Sequence, residues 1–337
     1  MRKKITFANH IGYSLLPPSH DGEPSATLRR QACPRRPPPC LRIILVLINL
    51  KTYSQDSPTR GLPPMIRFIC LITAGVLAAC AFCFPAMAAD PTLIYPGKTW
   101  RMSKNPELLG WSMKKLTAAK AYSKQIGSAA VMIVENGMVV DAWGEIERKY
   151  QLHSMRKPLI SALIGIHTAK GRIDLSKTMT ELGIDDNKPS LTRIEKQATI
   201  ADLIKARSGI YHPALGEAPG MKAMRPERHS HLPGTFYYYN NWDFNAIGTI
   251  FEQETGANIF EEFSRRIATP LQMKDFKVND GWYNTGPESI HPYYGFRMSA
   301  RDLARFGLLY LRKGRWKNKQ IYRAHTPGQF NSGGCCG

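Results

Sequence analysis

A serine and a lysine three positions apart are the residues of this 337-residue chain best suited to act on a substrate together. Ser154 and Lys157 lie in LHSMRKPLISALIGI (152–166), a stretch that begins polar and becomes almost wholly apolar. Residues three apart on a helix share a face, so the hydroxyl and the amine can come within hydrogen-bonding distance. A serine is a poor nucleophile until a base removes its proton, and lysine serves as that base only when its pKa is depressed. The alternative is a helix cap followed by a solvated charge.

Spacing alone does not decide between the two interpretations, because Ser112 and Lys115 repeat it. That pair lies in 106–124, where apolar residues and lysines alternate at helical spacing and predict a surface helix. The segment 158–170 is instead apolar nearly all round, which predicts a buried helix. The start of a buried helix can depress a lysine pKa and can stabilise a developing negative charge. We therefore favour Ser154 as the nucleophile.

A second group of polar residues precedes another apolar helical pattern. PGTFYYYNNWDFNAIGTIFEQETG (233–256) contains a Tyr-x-Asn pair in two possible frames, Tyr238 with Asn240 or Tyr239 with Asn241. For Tyr239 the alternative to a part in the chemistry is a structural role in an aromatic patch.

The Ser-x-x-Lys and Tyr-x-Asn motifs together resemble those of the serine β-lactamase and penicillin-binding protein superfamily. The pattern is closest to class C β-lactamases, certain esterases and 6-aminohexanoate-dimer hydrolases. The family spacing from Pro233-Gly234 to Gly248 selects Tyr239 and Asn241. KGRIDLSKTMTELGI, ATIADLIKARSGIY and RMSARDLARFGLLYLRKGRWKNKQI are also similar to stretches of these proteins and occur in the same order, so the resemblance covers roughly residues 100–321.

The resemblance implies a division of labour among these residues. Ser154 would attack a carbonyl and become acylated, Lys157 and Tyr239 would share the proton transfers, and Asn241 would orient the lysine or a substrate amide. No cofactor or metal is implied. In relatives, the loop that corresponds to Tyr211 and His212 borders the substrate cleft, so these two residues are candidates for substrate contact.

The expected fold is α+β: an antiparallel sheet flanked by helices, with a helical subdomain. Around Glu135-Asn136-Gly137, SAAVMIVENGMVVDAWGE (128–145) predicts a β-hairpin, and helical patterns recur at 200–206, 244–255, 259–267 and 300–311. Family members carry a third motif on a later strand, and His325-Thr326-Pro327-Gly328 is a poor substitute. We therefore expect the fold to lack its C-terminal strands, the hairpin to have exposed edges and an uncovered apolar face, and the chain to be poorly stable and weakly active or inactive.

Composition divides the chain into segments. Residues 1–64 are basic and proline-rich and are predicted to be unstructured or a misassigned extension. Residues 65–88 resemble a secretory signal or a membrane anchor, and Leu77-Ala78-Ala79-Cys80 resembles a lipobox that would lipidate Cys80. Residues 89–321 are expected to form an incomplete hydrolase domain, and residues 322–337 an off-pattern tail. We expect an exported protein, in the bacterial periplasm or anchored facing it.

Several other functions are disfavoured by the sequence. The net charge of +20 indicates affinity for anionic surfaces in general, but no nucleic-acid-binding signature accompanies it. The seven cysteines all lie outside 84–334, which excludes disulfides and thiolate metal sites there. His229 and His231 could bind zinc, but no acidic or cysteine cluster is near them in sequence, which favours a solvated loop.

The sequence thus predicts a serine hydrolase that cleaves a small amide or ester through an acyl-enzyme. Two alternatives remain. The chain could be a catalytically inactive remnant or a membrane-tethered binding protein of the same fold, or it could be a penicillin-binding peptidase that acts on cell-wall peptides.

Overall fold

The computed structural model describes residues 43–48 and 93–322. The predicted signal or anchor segment 65–88, with Cys80, lies outside the described residues, as does the tail after Tyr322 with His325 to Gly328. Among the helices of the described ranges, none combines the length and the apolar character that crossing a bilayer requires.

The described elements are α-helices and β-strands, with short turns of other helix types between them. The helices are α1 (Met113–Gln125), α2 (Arg156–Thr168), α3 (Ile200–Ile204), α4 (Pro219–Ala223), α5 (Asn241–Thr255), α6 (Ile259–Phe263) and α7 (Ala300–Leu311). The strands are β1 (Ile43–Ile48), β2 (Ala130–Glu135), β3 (Met138–Gly144), β4 (Lys149–Gln151), β5 (Gly281–Gly286), β6 (Ser289–Ser299), β7 (Arg315–Trp316) and β8 (Lys319–Gln320). The predicted helix at 259–267 divides into α6 and a π-helical turn, Ser264–Ala268.

The predicted hairpin is confirmed and consists of β2 and β3. Asn136 and Gly137 form its two-residue turn with φ of 46° and 83°, the conformation that matches the twist of paired antiparallel strands. Both faces of the hairpin are covered. One face packs on Leu116 of α1 and the other on Ala304 of α7. The expectation of an uncovered apolar face is therefore wrong, because α7 folds back over the side that α1 leaves open.

The outer edge of β2 is paired by β1. Ile43–Ile48 runs parallel to β2, in register from Ile43 opposite Ala130 to Ile48 opposite Glu135. These six residues belong to the segment 1–64 that the sequence predicts to be unstructured or misassigned, so the structure departs from that prediction here. The expectation of exposed hairpin edges is wrong at this edge, since β1 takes up the hydrogen-bonding groups of β2.

A second sheet, in the order β4-β6-β5, was not predicted. Its central strand β6 pairs with both neighbours in antiparallel fashion, with Gln151 of β4 opposite Arg297. β4 leads directly into the turn before α2, so this sheet fixes the place where the helix begins.

The core lies around α2 and α5. Ten of the thirteen residues of α2 are buried, so the prediction of a helix enclosed on nearly all sides is confirmed. Leu163 of α2 and Trp242 and Phe251 of α5 belong to one hydrophobic cluster with Tyr294 of β6. Polar side chains at the first turns of α2 and α5 are consequently held by rigid, packed elements.

Candidate active site

Ser154 lies in the tight turn between β4 and α2. The backbone N–H of Leu152 donates to the carbonyl of Phe296 on β6 at 2.9 Å, and the N–H of Met155 donates to the carbonyl of Leu152 at 2.9 Å. Between them His153 has a φ of 47°, in the left-handed region that non-glycine residues rarely adopt. Strained residues of this kind cluster at functional sites. The turn leaves Ser154 exposed at the start of a buried helix.

The Lys157 amine contacts three oxygen atoms. Its Nζ lies 3.2 Å from Ser154 Oγ, 2.7 Å from Tyr239 OH and 2.9 Å from Asn241 Oδ1. Lys157 is only 6% exposed. The structure therefore brings together all four residues that the sequence and the resemblance select as catalytic.

The surroundings of this amine disfavour its charged form. Burial and, secondarily, the positive charge of Arg156 hold the pKa of Lys157 well below its ordinary value. Its three hydrogen-bond partners are a hydroxyl, a phenol and an amide oxygen, none of them a carboxylate. The rings of Tyr239 and Phe244 also contact the amine, with centroids 4.4 and 4.9 Å from Nζ. A lysine in such a place can accept a proton near neutral pH.

The two Tyr-x-Asn frames have different roles in the structure. Tyr239 and Asn241 contact Lys157, whereas the Tyr238 hydroxyl donates to the carbonyl of Met221 at 2.7 Å. Asn240 caps α5, and its Oδ1 accepts from the backbone N–H of Asp243 at 2.8 Å. The consecutive residues Asn240 and Asn241 thus supply the helix cap and a hydrogen-bond acceptor for Lys157.

Asn241 is held by backbone carbonyls on its other side. Its Nδ2 donates to Gly216 O at 2.8 Å and to Leu215 O at 3.3 Å. Gly216 has a φ of 75°, and a Cβ there would lie 2.7 Å from the ring of Tyr293. The segment can approach Asn241 closely because residue 216 has no side chain.

Tyr211 and His212, the predicted substrate contacts, are both buried. The Tyr211 hydroxyl lies 3.1 Å from His231 Nδ1, and its ring meets that of Tyr238 edge-on. The His212 ring is tilted against Trp242. Both side chains therefore pack against neighbouring aromatic side chains. Their role in substrate contact stays a prediction.

The structure also shows the surroundings of two other motifs, the Ser112 and Lys115 pair and the His229 and His231 pair. Ser112 caps α1 by accepting from the backbone N–H of Lys115 at 3.4 Å, and Lys115 is exposed, as expected of a surface pair. His231 stacks on Phe236, and His229 Nδ1 lies 3.7 Å from Glu195 Oε1. Within the described ranges, no group of three or more His, Cys, Asp or Glu side chains could hold a metal ion.

Two residues that sequence reasoning missed adjoin the site. Arg156 is fully buried beside Lys157, and its Nη2 donates to Asn245 Oδ1 at 2.6 Å. The signal that could have indicated Arg156 is a second cation at the start of a helix that is otherwise apolar. Nothing local in the sequence indicates Asn245, which is 89 positions away.

The chain is similar to a known protein family and to several solved structures. Residues 113–333 match the model of the β-lactamase family. None of the curated proteins matches the chain. Among solved structures, the chain is similar to a 6-aminohexanoate-dimer hydrolase homologue from Bacillus anthracis at 21% identity, with a TM-score of 0.47 and coverage of 70% of this chain and 67% of the other.

The chain is also similar to two further solved structures. One is a D-alanine carboxypeptidase from Burkholderia cenocepacia, at 17% identity, a TM-score of 0.41 and coverage of 60% of this chain and 64% of the other. The second is a class C β-lactamase in complex with cefoxitin, at 14% identity, a TM-score of 0.43 and coverage of 62% and 68%. Since the family model matches well over half of its length, the chain belongs to the β-lactamase family and has the α+β fold of its serine hydrolases.

Proposed function

We propose that this protein is a serine hydrolase that cleaves a small amide or ester through an acyl-enzyme on Ser154. One observation carries the proposal. The buried Lys157 amine reaches the exposed Ser154 hydroxyl, the Tyr239 phenol and the Asn241 amide oxygen at once, at 3.2, 2.7 and 2.9 Å. A base with a depressed pKa within reach of a serine is the arrangement that nucleophilic catalysis requires.

The reaction has two stages. Ser154 Oγ attacks the substrate carbonyl carbon, and its proton passes to Lys157. The bond to the leaving amine or alcohol then breaks as that group takes a proton through Tyr239, which leaves an ester on Ser154. Water attacks this ester, gives its proton to the same pair and releases the acid. The backbone N–H of Ser154, at the start of α2, donates to the oxyanion.

Labelling with a fluorophosphonate probe tests the nucleophile separately from turnover. The probe forms a bond from phosphorus to Ser154 Oγ and releases fluoride, so it requires the activated hydroxyl but not water attack. We expect one adduct at Ser154 by peptide mass spectrometry, and none in Ser154→Ala. Ser112→Ala is the matched control, since it removes the serine of the same Ser-x-x-Lys spacing on the surface helix α1, and it should label like the wild type.

Turnover is measured with a chromogenic ester on the same proteins. Hydrolysis that disappears in Ser154→Ala and persists in Ser112→Ala supports the full cycle. An adduct at Ser154 without hydrolysis favours a binding protein that retains an activated serine. A stable adduct with penicillin and slow release favours a peptidase. Wild-type protein that is folded and yet takes up no fluorophosphonate contradicts the proposal.

A further inference from the structure

Arg156 is a buried cation that pairs with no carboxylate of the described residues. Its side chain is fully buried, and its guanidinium lies between the rings of Tyr293 and Tyr294, with Cζ 4.2 and 4.0 Å from their centroids. Its Nη2 donates to Asn245, while Nε and Nη1 have no hydrogen-bond partner in the described part of the chain. The faces of the two rings offset part of the cost of burying this charge but do not neutralise it.

Arg156 and Lys157 each donate to an asparagine, and the two asparagines share one carbonyl acceptor. A guanidinium only donates, so the oxygen of Asn245 must face Arg156 and its Nδ2 must face the other way. That Nδ2 donates to Leu215 O at 3.2 Å, the carbonyl that also accepts from Asn241 Nδ2. Because carbonyls only accept, Asn241 presents its remaining oxygen to the Lys157 amine.

The Arg156 guanidinium also acts on Lys157 through its charge. Arg156 precedes Lys157 in the first turn of α2, and arginine does not lose its proton in proteins. Two adjacent buried cations repel each other, so the lysine is the one that gives up its charge. The other titratable group that contacts the amine is Tyr239, and α5 contributes the uncharged Asn241 and Phe244. On β6, burial raises the pKa of Tyr294 to about 12, so this phenol does not neutralise Arg156.

We propose that Arg156, held by Asn245 and the two tyrosine rings, is a positioning residue whose charge keeps Lys157 in its proton-accepting form. The inference rests on the proposed function of Lys157 as the base toward Ser154. It adds a permanent charge to that mechanism, in a position that touches neither substrate nor the reacting atoms.

The test is the pH dependence of fluorophosphonate labelling at Ser154. Only the uncharged Lys157 accepts the proton, so the labelling rate rises with pH through the Lys157 pKa. Removing the charge in Arg156→Gln raises that pKa. We therefore expect the acid limb of the pH profile, the range in which the labelling rate rises with pH, to move up by about one pH unit. Labelling at pH below the limb then falls about tenfold and recovers at higher pH. A loss of packing alone would lower the rate equally at every pH.

Asn245→Asp provides a second variant in case Arg156→Gln does not fold. The aspartate keeps an acceptor for Arg156 and cancels its charge, at the loss of the Nδ2 bond to Leu215 O, so the acid limb should again move to higher pH. Arg305→Gln is the control, because Arg305 is equally buried in α7 and donates to the carbonyls of Leu271 and Gly97. This control should lose stability and keep the wild-type acid limb.

Competitive acetylation of lysines, read by peptide mass spectrometry, measures the Lys157 pKa without Ser154. It separates the two proposals. If the wild type does not label at Ser154, the proposed function fails, and the acetylation profile alone decides on Arg156. A Lys157 titration that moves to higher pH in Arg156→Gln or Asn245→Asp supports the inference. Titrations and acid limbs that coincide with the wild type in both variants overturn it.

Discussion

Lys157 differs from most buried lysines in what surrounds its amine. A buried ammonium is usually paired with a carboxylate, which would keep it charged and unable to accept a proton. Here the partners are Ser154, Tyr239 and Asn241, all of which can contact an uncharged amine. Of these three residues, Ser154 and Tyr239 can themselves pass on a proton.

Replacing Tyr239 by phenylalanine tests this role. Tyr239→Phe keeps the ring near Lys157 and Phe244 and removes only the hydroxyl that lies 2.7 Å from Nζ. We expect ester hydrolysis to fall by roughly 10²–10⁴, the usual contribution of a positioned acid or base. Tyr238→Phe is the matched control. It loses the bond to Met221 O, which stabilises the fold by about 1 kcal/mol, and should keep the wild-type rate. Equal rates for both variants would exclude Tyr239 from proton transfer.

The sequence predicts the contacts of the site to different extents. Ser154 and Lys157 are three residues apart on one helix, so their contact follows from local geometry alone. Tyr239 lies 82 residues from Lys157, and only the resemblance to a family selects it over Tyr238. Arg156 and Asn245 were missed because their contact depends on how α2 and α5 pack, which no local pattern records.

At the scale of elements, the hairpin and the buried helix follow from the sequence because each has its own local signal. Asn136-Gly137 specifies the turn between β2 and β3, and the apolar run of α2 specifies burial on all sides. β5 and β6 have no such signal. Their sequences contain Gly, Pro and His among the aromatic residues, and strand formation there depends on pairing with β4 and packing on α5. The pairing of strands that are far apart in the sequence cannot be read from the periodicity of apolar residues.

The turn before α4 must approach α5 closely, and Gly216 is the residue that permits it. An alanine at 216 would need a left-handed φ and would push the ring of Tyr293 away, and the carbonyl bonds to Asn241 would move with it. We expect Gly216→Ala to slow labelling of Ser154 by tenfold or more, because displacements of about 1 Å in a positioned group can cost about 10²-fold.

Gly171→Ala is the control for backbone strain. Gly171 has a φ of 69°, and a Cβ there would meet nothing within 4 Å. This variant should lose about 1–2 kcal/mol of stability from the left-handed conformation and keep the labelling rate. If Gly216→Ala labels as fast as Gly171→Ala, the carbonyls of this turn do not position Asn241.

The first turn of α5 contains a buried carboxyl whose charge opposes folding. Asp243 accepts from Ser208 Oγ at 2.6 Å, and burial raises its pKa to about 8 despite this bond. From its ordinary value of 3.8 up to about 8, the unfolded chain releases a proton that the folded chain keeps. The contribution of Asp243 to the free energy of unfolding is therefore greatest below pH 3.8 and falls as pH rises through this window.

Asp243→Asn removes this titration. We expect the free energy of unfolding of the variant, measured by urea denaturation between pH 5 and 8, to decline less with pH than that of the wild type. Asp186→Asn should behave differently. Burial raises the pKa of Asp186, but hydrogen bonds from Ile290, Ser289 and Trp242 bring it below its ordinary value. This variant should lose stability throughout the range. Parallel pH profiles for Asp243→Asn and the wild type would mean that Asp243 is charged in the folded protein.

At the scale of the whole molecule, two helices close the two faces of the β2-β3 hairpin, and β1 closes one edge. This edge is closed by residues that lie well before the hairpin in the chain, since residue 43 pairs with residue 130. An unpaired β2 would expose a row of N–H and C=O groups that can pair with another chain. The pairing with β1 therefore bears on both the stability of the molecule and its tendency to self-associate.

Two fragments that differ only in β1 test this. Fragment 43–337 retains Ile43–Ile48, and fragment 49–337 lacks it. We expect 49–337 to unfold at a lower temperature and to form dimers or larger species in light scattering, because β2 then offers its free edge to a second copy. Fragment 43–337 should stay monodisperse and keep the melting temperature of the full chain. If the two fragments melt together and neither self-associates, β1 does not contribute to the sheet in solution, and α1 and α7 alone suffice to hold the hairpin.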